Sequence, residues 1–210
     1  INSFAPIGVA AVYPLNLVVD ASVGINSVKD LVAYIKANPN KANYGSVSAL
    51  FQLATELFMS KTGTRIEHIP FKSSLETTAS MLNGQVLMTM SDPGPVLPHI
   101  KSGKLKLLAV AGPKRNEQFP DTPTLKEVGV DMEVEVFAGL VTTAGTPAAI
   151  VKRLERELAA VRQMPDTIDK LKAVGMPPVA SGGAQDFADR IAGQIPMWTA
   201  VARAANIKLD

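Results

Sequence analysis

The chain has 210 residues, with 21 Lys and Arg against 19 Asp and Glu, two His and no Cys. This length suffices for one large or two small domains with a core that needs no disulfides. Nucleic acid is disfavoured as a partner, because the basic residues are scattered through predicted helices instead of forming a stripe. The absence of Cys excludes disulfides, thiolate zinc sites and a Cys nucleophile. The longest apolar runs fall far short of the ~20 residues that span a bilayer.

Short apolar segments alternate with helical patterns along the chain, which predicts an α/β fold with a parallel sheet. The predicted strands cover residues 7–12, 15–19, 41–45, 65–69, 85–90, 106–111 and 133–142. Ser27 is the predicted cap of the first helix, with Asp30 at the third helical position. An apolar stripe at helical spacing predicts a helix over residues 49–62, and Gly63 supplies its end. Further helices are predicted over residues 75–82, 147–163, 166–174 and 185–204.

The residues offer little that catalysis or metal binding could use. His68 and His99 have no Asp, Glu or second His at a metal-ligand spacing, which favours structural roles for both. The chain has no G-x-S-x-G elbow and no Gly-rich phosphate loop. We therefore predict no catalytic residue, no metal site and no cofactor.

Three connections from a strand to a helix carry small polar residues, at residues 45–48, 71–74 and 91–95. In open α/β sheets ligands bind at the carboxyl ends of the strands, and free amides at a helix N-terminus attract anions. Ser48, Ser74 and Asp92 could instead serve only to cap the helices that follow. The candidate ligand-binding residues are Ser46, Ser48, Phe71, Lys72, Ser73, Ser74, Ser91 and Asp92.

Several phrases that run along nearly the whole chain carry a family resemblance. They are Asn-Tyr-Gly-Ser at 43–46, Leu-Ala-Thr-Glu-Leu-Phe at 53–58, His-Ile-Pro-Phe-Lys-Ser-Ser at 68–74, Leu-Asn-Gly-Gln-Val at 82–86, Leu-Pro-His-Ile-Lys-Ser-Gly-Lys-Leu at 97–105, Phe-Pro-Asp-Thr-Pro-Thr at 119–124 and Ala-Gly-Thr-Pro at 144–147. In this order they resemble the substrate-binding receptors of tripartite tricarboxylate transporters, also called Bug receptors.

The resemblance implies a two-lobed periplasmic binding protein of type II, a Venus flytrap, with the first lobe incomplete. It places residues 15–112 in the second lobe and residues 1–14 and 113–210 in the remaining part of the first. It implies a periplasmic receptor that holds a small carboxylated solute through main-chain amides, hydroxyls and water, and passes it to membrane components of the transporter. No catalysis is implied.

The chain departs from the family pattern in two places. It lacks the family's N-terminal part and begins with neither an initiator Met nor a signal peptide, so we expect that an upstream part either was removed or is absent from the gene. Apolar surface left by the missing strands predicts a dimer. The loop after Tyr44 is shorter than usual and lacks its glycines; Ser46 matches the family motif directly and Ser48 less securely. Asp92 falls where the family carries Asp or Asn, and beside the ligand it would favour an amine or hydroxyl over a second carboxylate.

Two alternatives stay open. The effector-binding domain of a LysR-type regulator shares the two-lobed architecture, and its helix-turn-helix could have been lost with the upstream part. A hydrolytic enzyme on an α/β scaffold is a weaker alternative, because no nucleophile motif supports it.

Overall fold

The computed structural model describes residues 3–179 and 182–207, and the chain forms two compact units. The first unit comprises Ile1–Tyr13 and Val136–Ala200, and the second comprises Pro14–Glu135 and Val201–Asp210. The mixture of strands and helices confirms the α/β class. The units group residues 113–135 with the second unit, whereas the resemblance assigned them to the first lobe. The division into lobes stays a prediction.

A five-stranded sheet forms the centre of the second unit. Its strands are β2 (Asn16–Asp20), β3 (Asn43–Ser46), β4 (Glu67–Pro70), β5 (Met88–Ser91) and β6 (Leu105–Val110), in the order β4-β3-β5-β2-β6. β3 is parallel to β4 and β5, whereas β2 runs antiparallel to β5 and β6. The sheet is therefore mixed, not wholly parallel as expected. The antiparallel strand β2 directly follows β1 (Phe4–Pro14) in the chain, with no helix between them.

Four helices accompany this sheet. They are α1 (Val28–Ala37), α2 (Ala49–Thr62), α3 (Ser74–Leu82) and α4 (Pro93–Lys101). The cap predicted for α1 is confirmed, because Ser27 Oγ accepts a hydrogen bond of 3.0 Å from the Asp30 amide. The end of α2 is confirmed too: Gly63 has a φ of 61°, a left-handed conformation that costs glycine little.

The two faces of the sheet bury different sets of side chains. One face carries Val18, Leu107 and Val110, which pack with Met81 of α3 and Val96 of α4. Because successive residues of a strand point to opposite faces, Leu17 and Val19 lie on the other face. All of these residues are buried, so both faces of the sheet are covered.

Asn43 fastens the start of β3 to the segment that enters β5. Its Oδ1 accepts a hydrogen bond of 2.8 Å from the Leu87 amide, and its Nδ2 donates one of 2.9 Å to the Gln85 carbonyl. The carboxamide thus replaces two backbone partners where the regular ladder has not yet begun.

The first unit holds a two-stranded sheet of β1 and β7 (Glu135–Thr143) and most of the helical C-terminal part. Its helices are α5 (Ala148–Gln163), α6 (Pro165–Ala173) and most of α7 (Ala184–Ala204), whose last four residues belong to the second unit. Phe187 packs edge-on against Phe137, with ring centroids 5.7 Å apart. Arg162 donates to the Val9 carbonyl at 2.7 Å, which ties α5 to β1. Within the described ranges, no helix has the length and apolar character to cross a membrane.

Candidate ligand-binding site

The three predicted connections lie at one edge of the second unit's sheet. β3, β4 and β5 are parallel, so their carboxyl ends meet at that edge. β2 runs the other way, and its first residue therefore lies at the same edge. All eight candidate residues belong to this unit, where free amides and small polar side chains converge as in other α/β sheets.

The first connection leads from β3 into α2. Ser46, the last residue of β3, is buried, and its Oγ lies 2.8 Å from Nε2 of His68 on β4. Ser48 occupies the N-cap of α2, but its exposed side chain makes no capping hydrogen bond. The first amides of a helix have no partner inside it, so the start of α2 presents donors that Ser48 does not occupy.

His68 and Tyr44 form a stacked pair behind Ser46, with ring centroids 4.9 Å apart. Burial lowers the pKa of His68, which favours the neutral imidazole. Burial, reinforced by the Glu56 carboxylate, raises the pKa of Tyr44, whose hydroxyl donates to Glu56 Oε1 at 3.3 Å. The pair therefore carries no charge near neutral pH, and the attraction for anions in this connection comes from amides and hydroxyls.

The second connection joins β4 to α3. The Phe71 amide donates to the Ser46 carbonyl at 2.9 Å, which links this connection to the first. Ser73 is the N-cap of α3, and its Oγ accepts from the Glu76 amide at 3.2 Å. Glu76 in turn accepts from the Lys72 amide at 3.1 Å. Ser73 and not Ser74 therefore caps this helix, and the side chain of Lys72 is left exposed.

The third connection begins at Ser91 and leads into α4. Asp92 occupies the N-cap of α4 without a side-chain capping bond. The third residue of the helix, Pro95, has no amide for it to accept from. Instead, Asp92 Oδ1 accepts from Ser74 Oγ at 2.9 Å, while Ser91 Oγ donates to the Asp92 carbonyl at 2.9 Å. Ser74, Ser91 and Asp92 thus form one hydrogen-bonded group.

Two residues at this edge were not predicted as site residues from the sequence. His68 was assigned a structural role, yet its ring contacts the candidate residue Ser46. Asn16 is the residue of β2 opposite Ser91, and it is fully buried. The signal for Asn16 was present, since it is a carboxamide in an otherwise apolar stretch from Leu15 to Val19. Within the described residues, no group of three or more His, Asp or Glu could hold a metal ion.

Comparison with known proteins decides the family. Residues 1–207 match the family described as the tripartite tricarboxylate transporter family receptor. The chain belongs to this family. The family's relatives include the UPF0065 protein of the gbd 5' region of Cupriavidus necator, 36% identical over 79% of this chain and 51% of its own length. BugT of Bordetella pertussis is 29% identical over 100% of this chain and 65% of its own length. The chain thus spans about half to two thirds of these two receptor-family relatives.

Solved structures confirm that the fold is that of periplasmic binding proteins. An R. palustris protein described with adipate is 30% identical and superimposes with a TM-score of 0.90, covering 98% of this chain and 69% of its own. The periplasmic binding protein BugD is 25% identical, also with a TM-score of 0.90, covering 98% of this chain and 70% of its own. Family and fold are those of substrate-binding receptors, which favours the receptor over the regulator and the hydrolase.

Proposed function

We propose that the chain captures a small carboxylate-bearing solute in the periplasm for a tripartite tricarboxylate-type uptake system. The family match over nearly the whole chain is the observation that carries the proposal. It is supported by the adipate described with a solved protein that is 30% identical. The polar edge of the second unit supplies the chemistry, because it combines helix-start amides and hydroxyls with few charged side chains.

Each connection has a distinct part in this proposal. Ser46, Ser48 and the first amides of α2 bind one end of the solute, together with the second connection at residues 71–74. The amides and hydroxyls suit a carboxylate because they donate hydrogen bonds without a fixed positive charge, and the exposed side chain of Lys72 adds one positive charge beside them. Ser91 and Asp92 contact the other end. There the Asp92 carboxylate favours a hydroxyl or an amine, since a second carboxylate beside it would be repelled.

We further propose that the chain binds without catalysis. The Ser46–His68 pair has the spacing of a nucleophile and a base. Such a pair also needs a third group that orients the base. Glu56 accepts from the hydroxyl of Tyr44, the ring stacked on His68, and within the described part of the chain no carboxylate is hydrogen-bonded to His68. In this proposal, the neutral ring of His68, stacked on Tyr44, positions Ser46 for a solute.

We also propose that two copies of the chain associate through the first unit, which exposes several large apolar side chains on β7 and α5. Among them are Leu140 and Ile150, each 49% exposed, and Val141. A contiguous exposed apolar patch marks an interaction surface, and the proposal is that these side chains contribute to one. Sedimentation of the chain at micromolar concentration should show a dimer, and Leu140→Glu should shift it toward monomer. A single monomeric species for the unchanged chain would contradict the proposal.

A thermal-shift screen against mono- and dicarboxylates tests the receptor function. A ligand at 100 times its dissociation constant stabilises by ~2.7 kcal/mol, which raises Tm by roughly 5–10 °C for a domain of this size. Neutral sugars of similar size serve as controls and should leave Tm unchanged. A panel in which no carboxylate shifts Tm would argue against the receptor.

A further inference from the structure

Asn16, the first residue of β2, is buried without a partner. None of its surface reaches solvent, and the same holds for its apolar neighbours Leu15, Leu17 and Val18. Neither Nδ2 nor Oδ1 has a hydrogen-bond partner among the described residues. A carboxamide can make up to four hydrogen bonds, and folded proteins rarely bury one with none. Leu or Val would fill this strand position at a lower cost, so packing does not account for Asn.

The strand register places this carboxamide at the candidate site. Asn16 lies opposite Ser91 of β5 on one side and Val110 of β6 on the other. Directly opposed residues of antiparallel strands project to the same face of the sheet, with Cβ atoms about 4.5–5.5 Å apart. Ser91 opens the third connection and Asp92 follows it. The Asn16 carboxamide therefore lies beside the group formed by Ser74, Ser91 and Asp92.

The hydrogen bonds within that group leave Asn16 unused. Ser91 Oγ donates to the Asp92 carbonyl, and Ser74 Oγ donates to Asp92 Oδ1. An ionised carboxylate has about four acceptor positions, so Asp92 can still accept from a further donor. The edge thus offers an acceptor in Asp92 and, one strand away, an Nδ2 donor that no group of the described chain engages.

We propose that Asn16 is a ligand-binding residue that, together with Asp92, selects carboxylates bearing a hydroxyl group. The proposal rests on the receptor function above. A hydroxyl can donate to Asp92 and accept from Asn16 Nδ2 at the same time. A methylene in its place leaves Asn16 Nδ2 without an acceptor and gives Asp92 no further donor beyond Ser74, and an ammonium group cannot accept from Nδ2. No surface of Asn16 reaches solvent in the chain without ligand, so this contact requires the side chains around Asn16 to shift when the solute binds.

Calorimetric titration with two matched pairs of acids, malate with succinate and lactate with propionate, tests this selection. The members of each pair differ by one hydroxyl. We expect the unchanged chain to bind the hydroxy acid of at least one pair tenfold or more tightly than its partner. Asn16→Val should weaken binding of that hydroxy acid at least tenfold and bring the two affinities together. Without ligand, its Tm should stay the same or rise by roughly 2–4 °C, because an unpaired polar group is replaced by an apolar one.

Asn43→Val is the matched control, because the Asn43 carboxamide is also on a strand of this sheet but has both of its partners. Its Tm should fall while the affinity of the folded chain stays unchanged. If Asn16→Val instead lowered Tm and left the affinities unchanged, Asn16 would be a structural residue and the proposal would be wrong. A chain that binds carboxylates in the wider panel without preferring a hydroxy acid overturns the selection alone. A chain that binds no carboxylate overturns the receptor function and this inference together.

Discussion

Gly45 lies in the middle of β3, where the structure leaves no room for a side chain. A Cβ built on Gly45 would lie 2.5 Å from Thr77 Cγ2 and 3.1 Å from Phe71 Cε2. Thr77 is buried in α3, and Phe71 packs against the buried cluster, so neither can move freely. Gly45→Ala must therefore displace α3 or the ring of Phe71, which opens the second connection.

The magnitude follows from two opposing effects. Overpacking a core by one methyl group costs about 1–3 kcal/mol. Replacing Gly by Ala returns ~0.4–1 kcal/mol by reducing the entropy of the unfolded chain. We expect a net loss of roughly 1–2 kcal/mol, or a fall in Tm of roughly 2–8 °C. The affinity for a bound carboxylate should fall as well, because Phe71 moves.

Urea unfolding of the substituted chain, followed by circular dichroism, measures this loss. Gly193→Ala in α7 is the matched control, because, apart from the neighbouring backbone of its own helix, a Cβ there meets no atom of the described residues within 4 Å. That substitution should raise stability by roughly 0.5–1 kcal/mol, the ordinary gain of Ala over Gly inside a helix. If Gly45→Ala were as stable as the unchanged chain, the packing described around β3 would be wrong.

Two further predictions separate structural roles from binding roles. Ser73→Ala removes a capping hydrogen bond and should lower the free energy of unfolding in urea by ~1 kcal/mol. Ser48→Ala should change that free energy by less than ~0.5 kcal/mol, yet weaken carboxylate binding in titration. Equal losses of stability in the two variants would contradict the difference in capping. Burial holds the pKa of His68 below its usual 6.5, so the unfolded chain takes up this proton at a higher pH than the folded chain does. The free energy of unfolding should therefore fall as pH drops below about 6.5, and His68→Gln should lack this part of the fall. If the free energies of unfolding of the two chains changed in parallel between pH 5 and 8, the role assigned to His68 would be wrong.

The strands and helices could be read from the sequence because local chemistry specifies them. Short apolar segments bounded by turns became strands, and the Ser27 cap and the Gly63 end lie where their residue types indicate. The direction of β2 could not be read in this way, since it depends on which strands become its neighbours. An antiparallel strand between β5 and β6 has the same apolar pattern as a parallel one.

The candidate site could be predicted only in part. Strand-to-helix connections pointed to one common edge of the sheet, and the structure brings all three there because parallel strands end together. Which serine caps a helix depended on a helix boundary one residue away, and this separated Ser73 from Ser74. Asn16 stands out as a carboxamide in an apolar stretch, but His68 and Asn16 reach the edge through pairing across strands, and no local pattern records which strands pair.

The two hydrogen bonds of the Asn43 side chain clamp the start of β3 to the segment that enters β5. This clamp has a consequence for how such receptors diversify. β3 and β5 are each four residues long, so the clamped ends and the polar ends of these strands are only about 10 Å apart. Sequence change at the polar edge therefore occurs on strands whose opposite ends are held by one side chain. Under the proposed binding role, exchanging residues 47–48, 72–74 and 92 as a set, while leaving Asn43 and the apolar faces intact, should redirect the chain toward a different solute.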